Sequence, residues 1–236
     1  MSGMLDGDAI LKKRLYLFFV LDSSGSMAGS NIQAVNTACK EALESEELRN
    51  AGGAAAEIYV NVLIFSNGCK WMTSEPVPID EFIWRNLDAN GGTDLGLACR
   101  ELGKKLTQEE FLQSSGGLAP PVIMLMSDGA PTDDFDTGLA MLQQNRFYKQ
   151  FIKVACAVAG ANEDTLVRFT GNKEAVIRVH TPEELAKWIK VVSLVTSKVG
   201  SQTNAQHDTA QEEATERLQR EYKDALDEDL NPDDYD

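Results

Sequence analysis

Short apolar runs alternate with amphipathic segments along the first 200 residues of the chain. Six runs have the length of strands, and the longer ones are continuous enough for burial on both faces of a sheet. They are residues 15–21, 58–65, 69–72, 122–126, 152–158 and 176–179. The segments between them predict helices at about residues 31–47, 93–105, 135–145 and 163–169, and from 182 onwards.

This alternation predicts an α/β fold with a central, mostly parallel six-stranded sheet and helices on both faces. The turn Ser66-Asn67-Gly68 predicts a hairpin, which makes residues 69–72 an antiparallel edge strand. At the last helix, Thr181 is suited to the N-cap and Pro182 to the first helical position, with Glu184 completing a capping box.

Composition divides the chain into an N-terminal lead at 1–11, one domain at 12–200 and an acidic tail at 201–236. From residue 205 onwards there are twelve acidic and three basic residues, with almost no apolar face. Such a composition predicts a disordered or marginally helical tail.

Charge and cysteine usage exclude several classes of protein. The net charge is −15 and no basic stripe is visible, so neither nucleic acid nor an anionic membrane surface is expected as a partner. No apolar run is long enough to span a bilayer, and residues 15–21 are too short for a signal peptide. Four cysteines without a CxxC pair predict reduced core thiols and a cytoplasmic protein.

Polar clusters follow two of the predicted strands and open one helix. They are Asp22-Ser23-Ser24-Gly25-Ser26, Gly91-Gly92-Thr93-Asp94 and Ser127-Asp128-Gly129. Each alone is typical of a helix cap or a turn. Taken together, the three clusters indicate a ligand-binding site, because ligands of an open parallel sheet gather at the carboxyl ends of its strands. Carboxylate and hydroxyl oxygens suit Mg²⁺, Mn²⁺ or Ca²⁺ better than zinc.

In order and spacing, Asp22-x-Ser24-x-Ser26, Thr93 and Asp128-Gly129 resemble the metal-ion-dependent adhesion site of von Willebrand factor A (VWA) domains. The resemblance covers about residues 12–200. It extends to the bacterial tellurium-resistance Y-type subgroup through residues 20–27, 64–66, 91–93 and 128–134 and the late helix with Trp188.

The resemblance implies a Rossmann-like VWA fold that binds one divalent cation, Mg²⁺ or else Mn²⁺ or Ca²⁺. It implies that Ser24 and Ser26 ligate the metal directly, that Asp22 and Asp128 act through water or hydrogen bonds, and that Thr93 joins when a partner is engaged. It further implies a non-enzymatic interaction module whose partner supplies an Asp or Glu carboxylate to the metal.

Partners implied by the resemblance are a protein kinase with a PP2C-type phosphatase, in stress, tellurium-resistance or phage-defence gene sets, or a MoxR-like AAA+ ATPase. The enzyme alternative is a haloacid-dehalogenase-type phosphatase, which also uses Mg²⁺. That class needs Asp-x-Asp with the second Asp as general acid, and Ser24 stands in its place. We therefore assign no catalytic residue.

Several residues outside these clusters have two interpretations. Asp133 and Asp134 are expected to cap the following helix, or else to extend an acidic rim around the cation. Trp71 is expected in the core, and His180 is expected to have a structural role. For Trp84 both interpretations stand, a core residue or an interface anchor. We expect Asp22 to lie at a loop surface, where Asp22→Ala leaves the fold intact.

The sequence leaves three alternative roles for the acidic tail. Its carboxylates, notably Asp233, Asp234 and Asp236, are chemically suited to bind the chain's own metal or that of a second copy. Alternatively, the tail recruits a basic partner or only confers solubility.

Overall fold

The computed structural model describes residues 12–51, 53, 56–115, 117–128, 130–158, 161–202 and 207–228. The strands are β1 (Lys13–Asp22), β2 (Ala56–Ser66), β3 (Gly68–Trp71), β4 (Val77–Pro78), β5 (Val122–Ser127), β6 (Ile152–Ala157) and β7 (Val176–Arg178). The helices are α1 (Ser30–Glu44), α2 (Glu46–Asn50), α3 (Leu95–Lys105), α4 (Phe135–Gln144), α5 (Glu163–Thr170), α6 (Pro182–Gln202) and α7 (His207–Glu228).

The strands form one sheet in the order β3-β2-β1-β5-β6-β7. All neighbours are parallel except β3, which pairs antiparallel with β2 through the predicted hairpin and places Ser66 opposite Gly68. This confirms the α/β fold with a mostly parallel sheet. The two residues of β4, which also pair antiparallel with β2, bring the count to seven and are too few to show a strand pattern.

Each face of the sheet carries its own hydrophobic core. Leu17, Phe19 and Leu21 of β1 face the core that lies under α1 and α6, while Phe18 and Val20 face the core under α3, α4 and α5. Because successive side chains of a strand point to opposite faces, a strand covered on both sides reads as a continuous apolar run.

Helices α3 and α4 approach each other through two glycines. A Cβ on Gly96 would lie 2.3 Å from the carbonyl oxygen of Asp134, and a Cβ on Gly138 would lie 2.2 Å from that of Gly96. Only residues without side chains permit this approach. It sets the loop after β5 directly against the start of α3.

The start of α6 agrees with the predicted N-cap. The Thr181 hydroxyl accepts the Glu184 N–H at 3.1 Å, while the Glu184 carboxylate accepts the N–H of His180, one residue before the position that a capping box uses. His180 is exposed, and its backbone N–H takes part in this cap. The predicted apolar face of α6 is buried; it comprises Leu185, Trp188, Ile189, Val192 and Val195.

The acidic tail was predicted to be disordered or marginally helical, and over residues 207–228 it forms the helix α7, which packs on the domain. Ala214, Leu218 and Tyr222 follow one another at four-residue spacing and are buried against the α1/α6 core. Polar residues surround these three positions in the sequence, so the average composition of the segment gives no sign of its narrow apolar stripe. The last eight residues, with Asp233, Asp234 and Asp236, lie outside the described residues.

A glutamine on α7 covers a free stretch of sheet edge. The Gln211 side chain accepts the N–H of Lys153 at 2.9 Å and donates to the Lys153 carbonyl at 3.3 Å. Lys153 lies in β6 before the part of that strand that pairs with β7. The contact satisfies backbone groups that an edge strand otherwise leaves to water or to another chain.

The cysteines agree with the predicted free thiols. Cys39, Cys99 and Cys156 are buried, Cys69 is half-buried, and none of the four forms a disulfide. Among the described helices, none is long and apolar enough to cross a membrane.

The packing of α7 predicts that Leu218→Ala lowers the free energy of unfolding by about 2–3 kcal/mol, as buried leucines do when truncated. Arg220→Ala, at an exposed position of the same helix, should change it by less than about 0.5 kcal/mol. Urea unfolding followed by circular dichroism measures both. Equal stabilities for the two variants would mean that α7 does not pack on the domain.

Candidate metal centre

The candidate site lies where two neighbouring parallel strands end. β1 ends on Asp22 and β5 on Ser127, and the register of the two strands sets Leu21 opposite Met126. The Ser127 hydroxyl therefore reaches across and donates to Asp22 Oδ2 at 2.5 Å. Asp128 follows directly, so both acidic residues of the predicted set lie at the same edge.

The loop after β1 continues this arrangement through a chain of oxygens. Asp22 Oδ1 accepts the N–H of Ser24 at 2.8 Å, which bends the loop back over the strand end. Ser24 Oγ and Ser26 Oγ lie 3.0 Å apart, and Ser26 Oγ donates to Asp128 Oδ1 at 2.8 Å. A 3₁₀ turn over Gly25–Met27 places Met27 in the core and fixes the far end of the loop.

Thr93 is held beside this loop by backbone contacts. Gly25 N–H donates to the Gly91 carbonyl at 2.9 Å, and Asn90 N–H donates to the Ser23 carbonyl at 2.8 Å. Thr93 also pairs with Thr132, whose hydroxyl accepts the Thr93 N–H while the Thr132 N–H donates to the Thr93 carbonyl. Within the described residues, no hydrogen bond joins the Thr93 hydroxyl to the other four predicted ligands.

The turn before Thr93 depends on Asn67, a residue predicted only as part of the hairpin turn. Asn67 Oδ1 accepts the N–H of Gly92 at 2.7 Å. Gly91 has a φ of +77°, and a Cβ there would lie 2.7 Å from the Asn67 side chain. The Gly91-Gly92 pair was the available signal for this close approach, but its partner lies 24 residues away and has no local signature.

Asp134 and Asp133 cap two different helices. Asp134 caps α4, as predicted, by accepting the Thr137 N–H at 3.1 Å, and the hydrogen bonds with Thr137 lower the pKa of its carboxyl. Asp133 was expected to cap the same helix, but its carboxylate accepts the N–H groups of Gly96 and Leu97 at the start of α3. The close approach of α3 and α4 explains this correction.

Burial of Asp22 also corrects an expectation. Its side chain is 0% exposed rather than at a loop surface. Burial raises the pKa of its carboxyl, and the hydrogen bonds from Ser127 and Ser24 oppose that rise. Ser26 is exposed and Asp128 is partly exposed, so the cluster is open to solvent on their side.

The donor set fits a hard divalent cation. Metal–oxygen distances of 2.0–2.1 Å in an octahedral Mg²⁺ shell place neighbouring oxygens about 2.9 Å apart, which matches the spacing along Ser24, Ser26 and Asp128. The described part of the chain contains no cluster of three or more His, Cys, Asp or Glu side chains that could hold a metal. A metal at this edge would therefore be held by two carboxylates and several neutral hydroxyls.

The family model for the von Willebrand factor type A domain matches residues 17–191. The chain belongs to this family. No curated protein sequence matches it. The matched residues include all five members of the candidate metal centre, which the motif had indicated.

Solved structures share the fold of this VWA domain. A von Willebrand factor type A protein from Catenulispora acidiphila is 15% identical, with a TM-score of 0.57, over 78% of this chain and 43% of that one. Proximal thread matrix protein 1 of the mussel byssus, with a zinc-occupied metal-ion-dependent adhesion site, is 17% identical, with a TM-score of 0.56, over 80% and 49%. The pilus adhesin SpaC from Lactobacillus rhamnosus GG is 12% identical, with a TM-score of 0.61, over 80% and 31%. The chain spans less than half the length of each, and these identities show the fold alone.

A cleft of about 500 Å³ adjoins the candidate metal centre of the VWA domain through Ser23. It runs from Ser23 and Asn90 to the edge strand β3, and the segment 85–90 forms its other wall. Trp71 also lines the cleft. Its half-buried ring packs against the core under α3, α4 and α5, in agreement with the prediction, edge-on to Phe111 and with its Nε1–H donating to Glu101. The Trp84 side chain packs partly buried against the α1/α6 core.

Asp22→Ala should destabilise the metal-free VWA domain, because it removes the buried hydrogen bonds that the carboxylate accepts from the Ser127 hydroxyl and the Ser24 N–H. We expect a loss of about 1–3 kcal/mol in the free energy of unfolding. Ser26→Ala, which removes an exposed hydroxyl, should cost less than about 0.5 kcal/mol. Chemical denaturation in EDTA compares the two. An Asp22→Ala variant as stable as Ser26→Ala would contradict the buried network.

Cys69 should be the first thiol to react in the native protein, and it should react slowly. Burial, with a smaller contribution from Glu101, raises its pKa to about 11, so its thiolate fraction at neutral pH is about 100-fold below that of an ordinary cysteine. Alkylation by iodoacetamide, followed by peptide mass spectrometry, should accelerate about tenfold per pH unit up to that pKa. In Cys69→Ser no remaining thiol of the native protein should be alkylated at the rate of Cys69. Modification of Cys39 before Cys69 would be the opposite result.

Proposed function

We propose that Asp22, Ser24, Ser26, Thr93 and Asp128 hold one divalent cation, Mg²⁺ or Mn²⁺ rather than zinc, with Ca²⁺ as the further candidate. We also propose that the protein is a non-enzymatic module that binds a protein partner through this cation. The observation that carries the proposal is the chain of oxygens from Ser24 through Ser26 to Asp128, spaced at 2.8–3.0 Å across two loops. The zinc in the site of the mussel byssus protein supports a divalent cation, and the hard oxygen donors here favour Mg²⁺ or Mn²⁺.

The charge of the donor set supports a role in partner binding. With the Ser24 and Ser26 hydroxyls as direct ligands, and Asp22 and Asp128 acting through water or hydrogen bonds, the protein atoms that touch the cation carry no formal charge. A cation bound there supplies residual positive charge and an unfilled coordination position, to which an Asp or Glu carboxylate of a partner is attracted. VWA domains are generally interaction modules of this kind.

The residues of the chain itself prepare the site before any ligand arrives. Asp22 fixes the loop through the Ser24 N–H and receives the Ser127 hydroxyl, which locks the ends of β1 and β5 together. The contacts of Ser23 and Gly25 with residues 90 and 91 fix the second loop. A site held by buried strand ends and backbone hydrogen bonds loses little conformational entropy on binding.

The enzyme alternative has less support. A haloacid-dehalogenase-type phosphatase needs a general acid two residues after its first Asp, and the residue there is Ser24, a buried serine whose neighbour is the Ser26 hydroxyl. We propose instead a scaffold or regulator in the bacterial cytoplasm, where free cysteines persist. A stress, tellurium-resistance or phage-defence role, with a kinase and PP2C-type phosphatase or a MoxR-like ATPase as partner, remains part of this proposal.

The acidic residues after Glu228 keep the three proposed roles of self-ligand, recruiting segment or solubilising segment. Because α7 packs on the core, a truncation after Gly200 would remove a structural helix as well as the acidic terminus. A deletion that starts after Glu228 therefore separates these roles from stability.

Titration with Mn²⁺, followed by ¹H–¹⁵N NMR, tests the metal proposal directly. Paramagnetic broadening should affect the amides of Ser24, Ser26 and Thr93 first and should reverse with EDTA. Ser26→Ala should weaken this broadening at a given Mn²⁺ concentration by about tenfold, the effect of losing one ligand or its close support.

Ser74→Ala is the matched control, because Ser74 is an exposed serine outside the oxygen cluster. It should titrate like the natural protein. Broadening that starts elsewhere, or equal titrations for Ser26→Ala and Ser74→Ala, would contradict the assignment of the metal centre.

A further inference from the structure

We propose that the cleft beside the metal centre selects an acidic segment of the partner, in which the metal-binding carboxylate is accompanied by a second carboxylate a few residues away. Lys70 and Arg85 would receive that second carboxylate. This inference rests on the proposed function and adds the chemical character of the partner.

The position of the cleft supports a shared ligand. Ser23, which lies between Asp22 and Ser24, lines one end of the cleft, and Asn90, bonded to Ser23, lines it as well. A segment that reaches the cation would therefore continue into the cleft. The volume of about 500 Å³ lies in the range of clefts that hold small molecules or a few side chains.

The two basic residues come from opposite walls. Lys70 lies in the edge strand β3, opposite Ile64 of β2, and is exposed. Arg85 is exposed on the facing segment, which Leu87 anchors to α1: the Leu87 N–H donates to Asn36 Oδ1 at 2.7 Å, and Asn36 Nδ2 donates to the Leu87 carbonyl at 2.9 Å. Both cations therefore project from backbone that is held in place.

Lys70 and Arg85 are the two cationic side chains that line the cleft. Within the described residues, neither Lys70 nor Arg85 forms an ion pair, whereas Arg100, Lys105 and Arg178 each have a carboxylate partner. Asp88 is the one acidic residue among those that line the cleft, so its lining carries a net positive charge in a chain of net −15. Screening limits exposed charges to about 8 Å at physiological ionic strength, so this local charge, not the total, governs what binds in the cleft.

A random 12-residue peptide library displayed on phage and selected on the full-length protein in Mg²⁺ tests the inference. Peptides that EDTA elutes should share one Asp or Glu that binding requires and a second acidic residue within about two to four positions. In fluorescence polarisation, replacing the second acid by its amide should weaken binding about two- to fivefold, as for exposed ion pairs. The double variant Lys70→Glu/Arg85→Glu should lose at least as much affinity and should no longer prefer the acid to the amide.

Lys40→Glu/Lys149→Glu is the matched control, with the same change in charge at exposed positions outside the cleft. It should bind the peptides like the natural protein. Selected peptides that need Mg²⁺ but have no second acid, or equal effects of the two double variants, would overturn the role of the cleft and leave the metal centre standing. A selection that does not depend on Mg²⁺, or binding that Ser26→Ala does not weaken, would overturn the proposed function and this inference with it.

Discussion

The contact between the Asp22 carboxylate and the Ser127 hydroxyl joins the two central strands at the point where both end. The loop after β1 and Asp128 are arranged around it. The same carboxylate turns the loop after β1 by accepting the Ser24 N–H, and this turn aims the Ser24 and Ser26 hydroxyls at Asp128. A buried carboxylate is costly unless it is hydrogen-bonded, so the strand ends and the loop stabilise each other through Asp22.

The second loop depends on the packing of helices rather than on the sheet. Gly96 and Gly138 allow α3 and α4 to pack in direct contact. Because of this contact, Asp133 caps α3 and Thr132 pairs with Thr93. The position of Thr93 thus depends on residues about 40 positions further along the chain. A substitution at Gly138 would act on the site through this packing, because any side chain there would push α3 away from α4.

The strands and the set of candidate ligands were predictable because both have local signatures. A strand buried on both faces is a continuous apolar run, and Asp22-x-Ser24-x-Ser26 at a strand end is a compact motif. The burial of Asp22, the cap that Asp133 provides and the support of Asn67 depend on contacts across 24 or more residues, which no local pattern shows. The packing of α7 on the domain was not predicted, for a different reason: three buried residues at four-residue spacing were outweighed by the acidic composition around them.

A crystal structure of the protein grown with Mn²⁺ tests the proposed metal centre without reference to the fold, because the anomalous signal of manganese locates the ion. We expect one strong peak at the carboxyl ends of β1 and β5, with the Ser24 and Ser26 hydroxyl oxygens within about 2.3 Å of it. We also expect the Asp22 carboxylate to keep its contacts with Ser127 and Ser24. A peak elsewhere on the domain, or Ser24 and Ser26 still bonded to each other with no ion at millimolar Mn²⁺, would show that these residues do not form the metal centre.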